Sequence, residues 1–234
     1  MMSTISAVYE YPVDIEFAAN FVRQKGYKIN LLQCRPLQTK GLGRPVAIPE
    51  PADDSDCFFR QKGHFMGGNI SLPIDYVVLV NTAAYQKLPE QENYIIARSV
   101  GKLNTALKGR NVLLIGPGRW GTTTPSLGVP VHFNEISNMS VICEVASSEA
   151  GFMPEVSYSS HFFLDLVEAG IFYAAIMADR KDTVYNPHII LALENQLPAL
   201  LNAKGAHYAA VPHVAKTKGL EIYADIVTQT LLCL

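Results

Sequence analysis

The spacing of apolar residues divides the chain into short strands and a few helices. Val13–Phe17 (VDIEF) and Lys28–Cys34 (KINLLQC) read as two strands. Arg23–Tyr27 (RQKGY) between them reads as a turn, with Gly26 where a hairpin needs a positive φ. Two strands alone do not make a domain, so residues 1–40 form a first unit that needs something to pair with. Residues 41–70 are rich in Gly, Pro, Asp and Ser, the composition of a linker. From residue 71 onward the pattern alternates between strands and helices. Tyr76–Val80 (YVVLV) is a buried strand. Glu90–Leu107 is a helix with Ile96, Val100, Leu103 and Leu107 along one face, stopped by Gly109. Asn111–Ile115, Ser140–Val145 and Ile171–Met177 are further strands. Ser160–Glu168 is a short helix ended by Gly170, and Glu194–Ala203 is a helix interrupted near its start by Pro198. Glu221–Leu234 is apolar enough for either a helix or a strand. The expected fold class is therefore α/β: a two-strand piece linked to a mixed α/β domain spanning 71–234.

Composition narrows the function classes. Hydrophobic residues make up 49% and charged residues 17% of the 234 positions, an ordinary globular balance. The net charge of −2, with Lys and Arg scattered, offers no field for nucleic acid or an anionic membrane. The first residues, MMSTISAVYEYPVDIE, carry neither the basic nor the apolar region of a signal peptide, and no apolar run is long enough to span a bilayer. Cys34, Cys57, Cys143 and Cys233 form no CxxC pair and no disulfide-like spacing. A reducing, cytoplasmic setting is the expectation.

Three strings carry candidate chemistry. The first is DIE at Asp14–Glu16 followed by LLQCRP at Leu31–Pro36. A carboxylate on a rigid strand can hold Mg²⁺ between phosphates. Gln33 and Arg35, two apart and so on one strand face, can contact phosphate oxygens as charge builds up in transfer. The same strings read structurally as an amphipathic hairpin with its charges in solvent. Together they resemble the closing strands of the ATP-grasp nucleotide-binding domain of phosphoenolpyruvate synthase and pyruvate phosphate dikinase. The resemblance implies Glu16 as a metal ligand, Gln33 and Arg35 as phosphate contacts, and Arg35 as a catalytic group. ATP and Mg²⁺ become the implied cofactors, and pyruvate or phosphoenolpyruvate the substrate. It also implies a complementary N-terminal ATP-grasp lobe, on the same gene or a separate chain, with the Lys and Arg that cover the phosphates. The gap between the two strings is longer than in that family.

The second string is LLIGPGRWGTTTPSLGVP at Leu113–Pro130. It contains GxGxxG at Gly116, Gly118 and Gly121 directly after a strand. Pro125 and Pro130 follow too soon for the helix that a dinucleotide fingerprint requires. Read as a P-loop, it has Thr122 where the lysine belongs. What remains is a loop with Arg119, Trp120 and the hydroxyls of Thr122–Thr124, suited to a phosphate or carboxylate. The structural alternative is that Arg119 braces an internal acid such as Glu135 or Glu144. A similar GPGRWG string, with GVPV after it, occurs in the C-terminal regions of unusual phosphoenolpyruvate synthase-like proteins.

The third string is SSHFFLDLVEAGI at Ser159–Ile171. It resembles the phosphohistidine segment of the same enzymes, with His161 nine residues before Gly170. A histidine at a helix N-terminus is well placed for a phosphoryl group, and the resemblance implies a catalytic His161. Phe162 and Phe163 depart from the small residues of that family, and Ser157–Ser159 from its paired glycines. The alternative is a histidine capping a packed helix. His64, His207 and His213 show no HxH or HxxxH spacing for a metal.

Overall fold

The computed structural model describes residues 2–10, 13–22, 26–36, 46–147, 157, 161–202 and 211–234. The chain forms two compact units, Met1–Thr39 and Lys40–Leu234.

The first unit contains helix α1 (Met2–Tyr9) and an antiparallel pair, β1 (Val13–Val22) and β2 (Gly26–Pro36). Both strands run longer than the apolar runs predict, β1 by Ala18–Val22 and β2 by Gly26–Tyr27 and Arg35–Pro36, where the cross-strand pairing continues. Gly26 has φ +85°, as the turn requires. Arg23–Lys25 of the expected turn lie outside the described residues. The register pairs Asp14 with Arg35 and Glu16 with Gln33, then shifts, so that Phe17 pairs with Leu31, Ala19 with Ile29 and Phe21 with Tyr27. Leu32 is the extra residue of a β-bulge. By alternation along β1, the bulge places Asp14, Glu16, Gln33 and Arg35 on one face and the Phe17, Phe21, Tyr27, Ile29 and Leu31 positions on the other.

The second unit begins with β3 (Phe59–Lys62), β4 (Phe65–Met66) and β5 (Ile70–Pro73). These lie partly within the stretch whose composition reads as a linker. Cys57, Phe58 and Phe59 are buried there, the Asp54–Asp56 stretch forms a 3-10 turn ahead of β3, and Gly63 and Gly67–Gly68 lie in turns between the short strands. Next come β6 (Tyr76–Val80), α2 (Thr82–Tyr85), α3 (Glu90–Ala106), β7 (Val112–Pro117), β8 (Arg119–Trp120) and β9 (Gly128–Val129). They are followed by β10 (Val141–Ala146), α4 (His161–Ala169), β11 (Phe172–Met177), β12 (Val184–Tyr185), α5 (His188–Leu191) and α6 (Leu197–Leu201). The chain closes with β13 (Pro212–Lys216), β14 (Glu221–Asp225) and β15 (Thr230–Cys233).

A six-stranded sheet in the order β13-β6-β7-β10-β11-β4 forms the centre. Strands β6, β7, β10 and β11 are parallel, with antiparallel β13 and β4 at the edges. Each parallel strand is apolar on both faces, which is why it reads as a continuous hydrophobic run. Val78, Leu114, Ile142 and Tyr173 pack toward α3 and α4 in one core. Val77, Leu113, Cys143 and Ala174 pack in a second core. That second core is closed by a five-stranded antiparallel sheet, β12-β3-β15-β14-β5. The open reading of Glu221–Leu234 resolves as the β14–β15 hairpin of this sheet. Ile222, Ala224, Leu231 and Cys233 fill its inner face, and Asp225 accepts from the Val227 and Thr228 amides in the turn.

Helix α3 buries Ile96, Ala97, Val100 and Leu103, the expected stripe with Ala97 added. Acidic Glu90 and Glu92 occupy its first turn, where the helix dipole favours them. Its other role is to grip the segment that follows β9. Asn104 is buried; its Nδ2 donates to the Asn134 carbonyl at 3.2 Å and its Oδ1 accepts from the Asn138 amide at 2.8 Å. Arg98 donates to the Pro130 carbonyl and pairs with Glu135, each at 2.8 Å.

Among the described residues no helix is long and apolar enough to cross a membrane.

Candidate functional site

Of the residues singled out in the first string, the fold brings Glu16 and Gln33 directly opposite each other across the β1–β2 ladder. Both are exposed. Asp14 and Arg35 form the next pair on the same face; their side chains, like that of His161, lie outside the described part of the structure. The face thus carries two acidic positions on one strand and an amide and a guanidinium position on the other. Hard oxygen donors from one or two carboxylates, completed by phosphate oxygens and water, are what Mg²⁺ takes. Of the described side chains on this face, Glu16 supplies one such carboxylate and Gln33 an amide oxygen.

The second string folds at the carboxyl end of β7, where ligands commonly bind in parallel sheets. Its glycines are occupied by the protein itself. Gly118 has φ +60°, and a Cβ there would sit 2.3 Å from the Leu127 carbonyl oxygen. A Cβ on Gly116 would meet the Trp120 ring at 2.8 Å. The close approaches let β8 pair with β9, Arg119 opposite Gly128 and Trp120 opposite Val129. The hydroxyl of buried Tyr85 donates to the Gly128 carbonyl at 2.9 Å and pins the pair from α2. Thr122 closes a small turn: its Oγ1 donates to the Thr124 carbonyl and accepts from the Thr124 amide. Half-buried Arg119 therefore stands on a loop whose backbone is set by packing within the chain.

Behind the loop lies a group to which the sequence assigns a different role. Glu144 is completely buried on β10. Four donors converge on its carboxyl group. The Trp120 amide reaches Oε1 at 3.1 Å and the Ser157 hydroxyl reaches Oε1 at 2.5 Å. The Ser157 amide reaches Oε2 at 2.9 Å and the Tyr173 hydroxyl reaches Oε2 at 2.6 Å. Burial pushes the Glu144 carboxyl above the usual carboxylate range, while these donors pull it back. The Trp120 indole donates to the Cys143 carbonyl at 2.9 Å. Glu144 thus joins the loop, β11 and the segment ahead of α4. Glu135, the other acid considered for Arg119, pairs with Arg98 and also accepts from the His132 amide at 2.8 Å. A signal for this cluster does exist in the sequence: a lone charge inside VICEVA, in a strand buried on both faces, needs partners.

In the third string, His161 opens α4, and Gly170 follows the helix with φ +71°. Phe163 and Leu166 are buried in the helical core, and Phe163 meets Tyr173 edge-on at 5.4 Å. The two phenylalanines that depart from the family pattern therefore have packing roles: Phe162 lies against Gly121 of the loop. Among the other histidines, His213 is buried on β13, where burial lowers its pKa, and its Nε2 finds no hydrogen-bond partner among the described residues. His64 meets Arg180 at 3.0 Å on the surface. His207 lies outside the described residues. No group of three or more His, Cys, Asp or Glu among the described residues is placed to hold a metal ion.

Comparison with protein-family models, with curated proteins and with solved structures finds no match to this chain.

Proposed function

We propose that this chain supplies metal- and phosphate-binding strands to an ATP-dependent phosphotransferase of the pyruvate/phosphoenolpyruvate dikinase type. The observation that carries the reading is the β1–β2 register. It aligns Glu16 with Gln33 and Asp14 with Arg35 on one face, and the bulge at Leu32 keeps the Tyr27, Ile29 and Leu31 positions off that face. In this reading Glu16 orients Mg²⁺, which supplies charge neutralisation between the phosphates. Gln33 and Arg35 hold phosphate oxygens, and Arg35 answers the charge that grows on them in transfer. The complementary lobe, with its Lys and Arg, closes the other side, and pyruvate or phosphoenolpyruvate is the second reactant. The four free thiols suit the cytoplasm, where these substrates occur.

A second reading, a non-catalytic anion-binding or regulatory module of the same origin, draws support from the 116–121 loop. Its glycines receive Trp120, Leu127 and Phe162 of the chain itself, so its fold needs no nucleotide. Arg119 and Thr122 would then serve a small anion at the loop surface.

Co-expression with an ATP-grasp lobe, followed by an assay of pyruvate-dependent ATP consumption, tests the first reading. Glu16→Gln and Arg35→Ala should each lower turnover by roughly 100-fold or more, as for groups acting on transition-state charge. Wild-type turnover in both variants would overturn it.

A further inference from the structure

A cleft of about 480 Å³ opens at the carboxyl edge of the parallel sheet. Asn81, Ser147 and Ala178, which directly follow β6, β10 and β11, form its rim. Leu79, Val145 and Leu191 form its apolar floor, and Tyr185 of β12 stands at its side. The volume falls in the range of small-molecule sites, and the position is where parallel sheets bind ligands.

Its polar groups have a consistent character. Among the described residues that line it, none is charged. Asn81 caps α2: its Oδ1 accepts from the Ala84 amide at 3.0 Å, which leaves the NH₂ end of the carboxamide for the cleft. Gln86, exposed one turn further on, offers both a donor and an acceptor. Burial raises the Tyr185 pKa, so its hydroxyl stays neutral. Ser147 donates to Asp179 Oδ1 at 3.1 Å, which sets a carboxylate beside the rim. An apolar floor selects a flat, weakly hydrated body. Two carboxamides select a body with donors and acceptors along its edge, the chemistry by which Asn and Gln read nucleobases. A carboxylate at the rim disfavours a phosphate attached to that body.

We propose that this cleft binds a neutral, planar, hydrogen-bonding ring compound of the nucleoside type, and that Asp179 selects against its phosphorylated form. The proposal concerns only the second unit and does not depend on the role of the β1–β2 hairpin.

Adenosine and adenosine monophosphate, titrated into the full chain and followed by amide chemical shifts, provide the test. Adenosine should shift signals of Asn81, Gln86, Ser147 and Tyr185 and leave those of Thr122 unchanged. Gln86→Ala, at an exposed position that the fold tolerates, should weaken adenosine by about 10-fold, the loss of one bidentate contact. The monophosphate should bind about 3- to 10-fold more weakly at low salt, and Asp179→Asn should abolish that difference. Absence of shifts at roughly 5 mM adenosine, a concentration above the weakest Kd such a site should show, overturns the proposal. So do shifts centred outside the cleft, an unchanged affinity in Gln86→Ala, or tighter binding of the monophosphate.

Discussion

Replacing Glu144 by glutamine preserves the shape of the side chain and exchanges one acceptor oxygen for an NH₂ donor. The site holds two donors that cannot turn around, the Trp120 and Ser157 amides, and they meet different oxygens, Oε1 and Oε2. Whichever end the new NH₂ takes, it faces one of those amides. The Ser157 and Tyr173 hydroxyls can rotate to accept, so the mismatch is confined to one backbone N–H. Losing a charge-assisted hydrogen bond and stranding a buried donor costs about 2–4 kcal/mol. For a unit of this size that lowers Tm by roughly 5–15 °C. Because burial raises the folded-state pKa of Glu144, the wild type holds an extra increment of stability at acid pH. That increment is full below the unfolded-state value near 4.5 and is lost as pH rises through the raised folded-state value. Glutamine has no such dependence, so the gap between the two proteins should be wider at pH near 5 than near 8. The single tryptophan, Trp120, is buried in this network and reports on the second unit alone. Thermal melts followed by its fluorescence at both pH values provide the assay. A Glu144→Gln melt within about 2 °C of wild type at both pH values would refute the account of the network as a stabilising hub.

Gly118→Ala should lower stability by roughly 2 kcal/mol or more, through a left-handed backbone and a contact with the Leu127 carbonyl, seen as a shifted Trp120 transition. Asn104→Ala removes both hydrogen bonds to the 134–138 segment and should cost about 1–3 kcal/mol in urea unfolding, whereas an unchanged midpoint would remove its role as a clamp. Arg119→Ala should keep Tm within roughly 2 °C and abolish any stabilisation by phosphate if the loop binds an anion. A large loss without ligand would make Arg119 an internal brace. In the proposed reading the strand pair supplies only half of a phosphate clamp, so the chain assayed alone should show no appreciable pyruvate-dependent AMP formation; robust turnover would contradict this.

Long, regular features were legible in the sequence. Helix α3 and strands β6, β7, β10 and β11 stand within a residue or two of their expected limits, since their apolar periods are uninterrupted. Strands β3 to β5 were not legible, being two to four residues long among glycines. Edge strand β13 begins with Pro212 and contains His213, which break the apolar run. The loop after β7 shows the limit most clearly. Its glycines look like a ligand signature locally, but the space beside them is filled by the protein: Trp120 and Leu127 fold back from within the same string, and Phe162 arrives from α4. Glu144 was visible only as a partner for a guanidinium, and its hydroxyl and amide partners came from elements whose proximity no local pattern states.

The extra residue at Leu32 has a consequence for how such a hairpin can change over time. The pairing on either side of it is regular, so the bulge works like a phase marker between two alternating texts. Point substitutions along β2 alter one position at a time and leave the phase intact. Loss of Leu32 itself would straighten the ladder and keep Leu31 opposite Phe17, whereas gain of one residue between Gln33 and the turn, with the single-residue bulge retained, would move Tyr27, Ile29 and Leu31 together onto the side of Glu16. Related chains should therefore differ in β2 by substitution, or by absence of the bulge residue, more readily than by insertion.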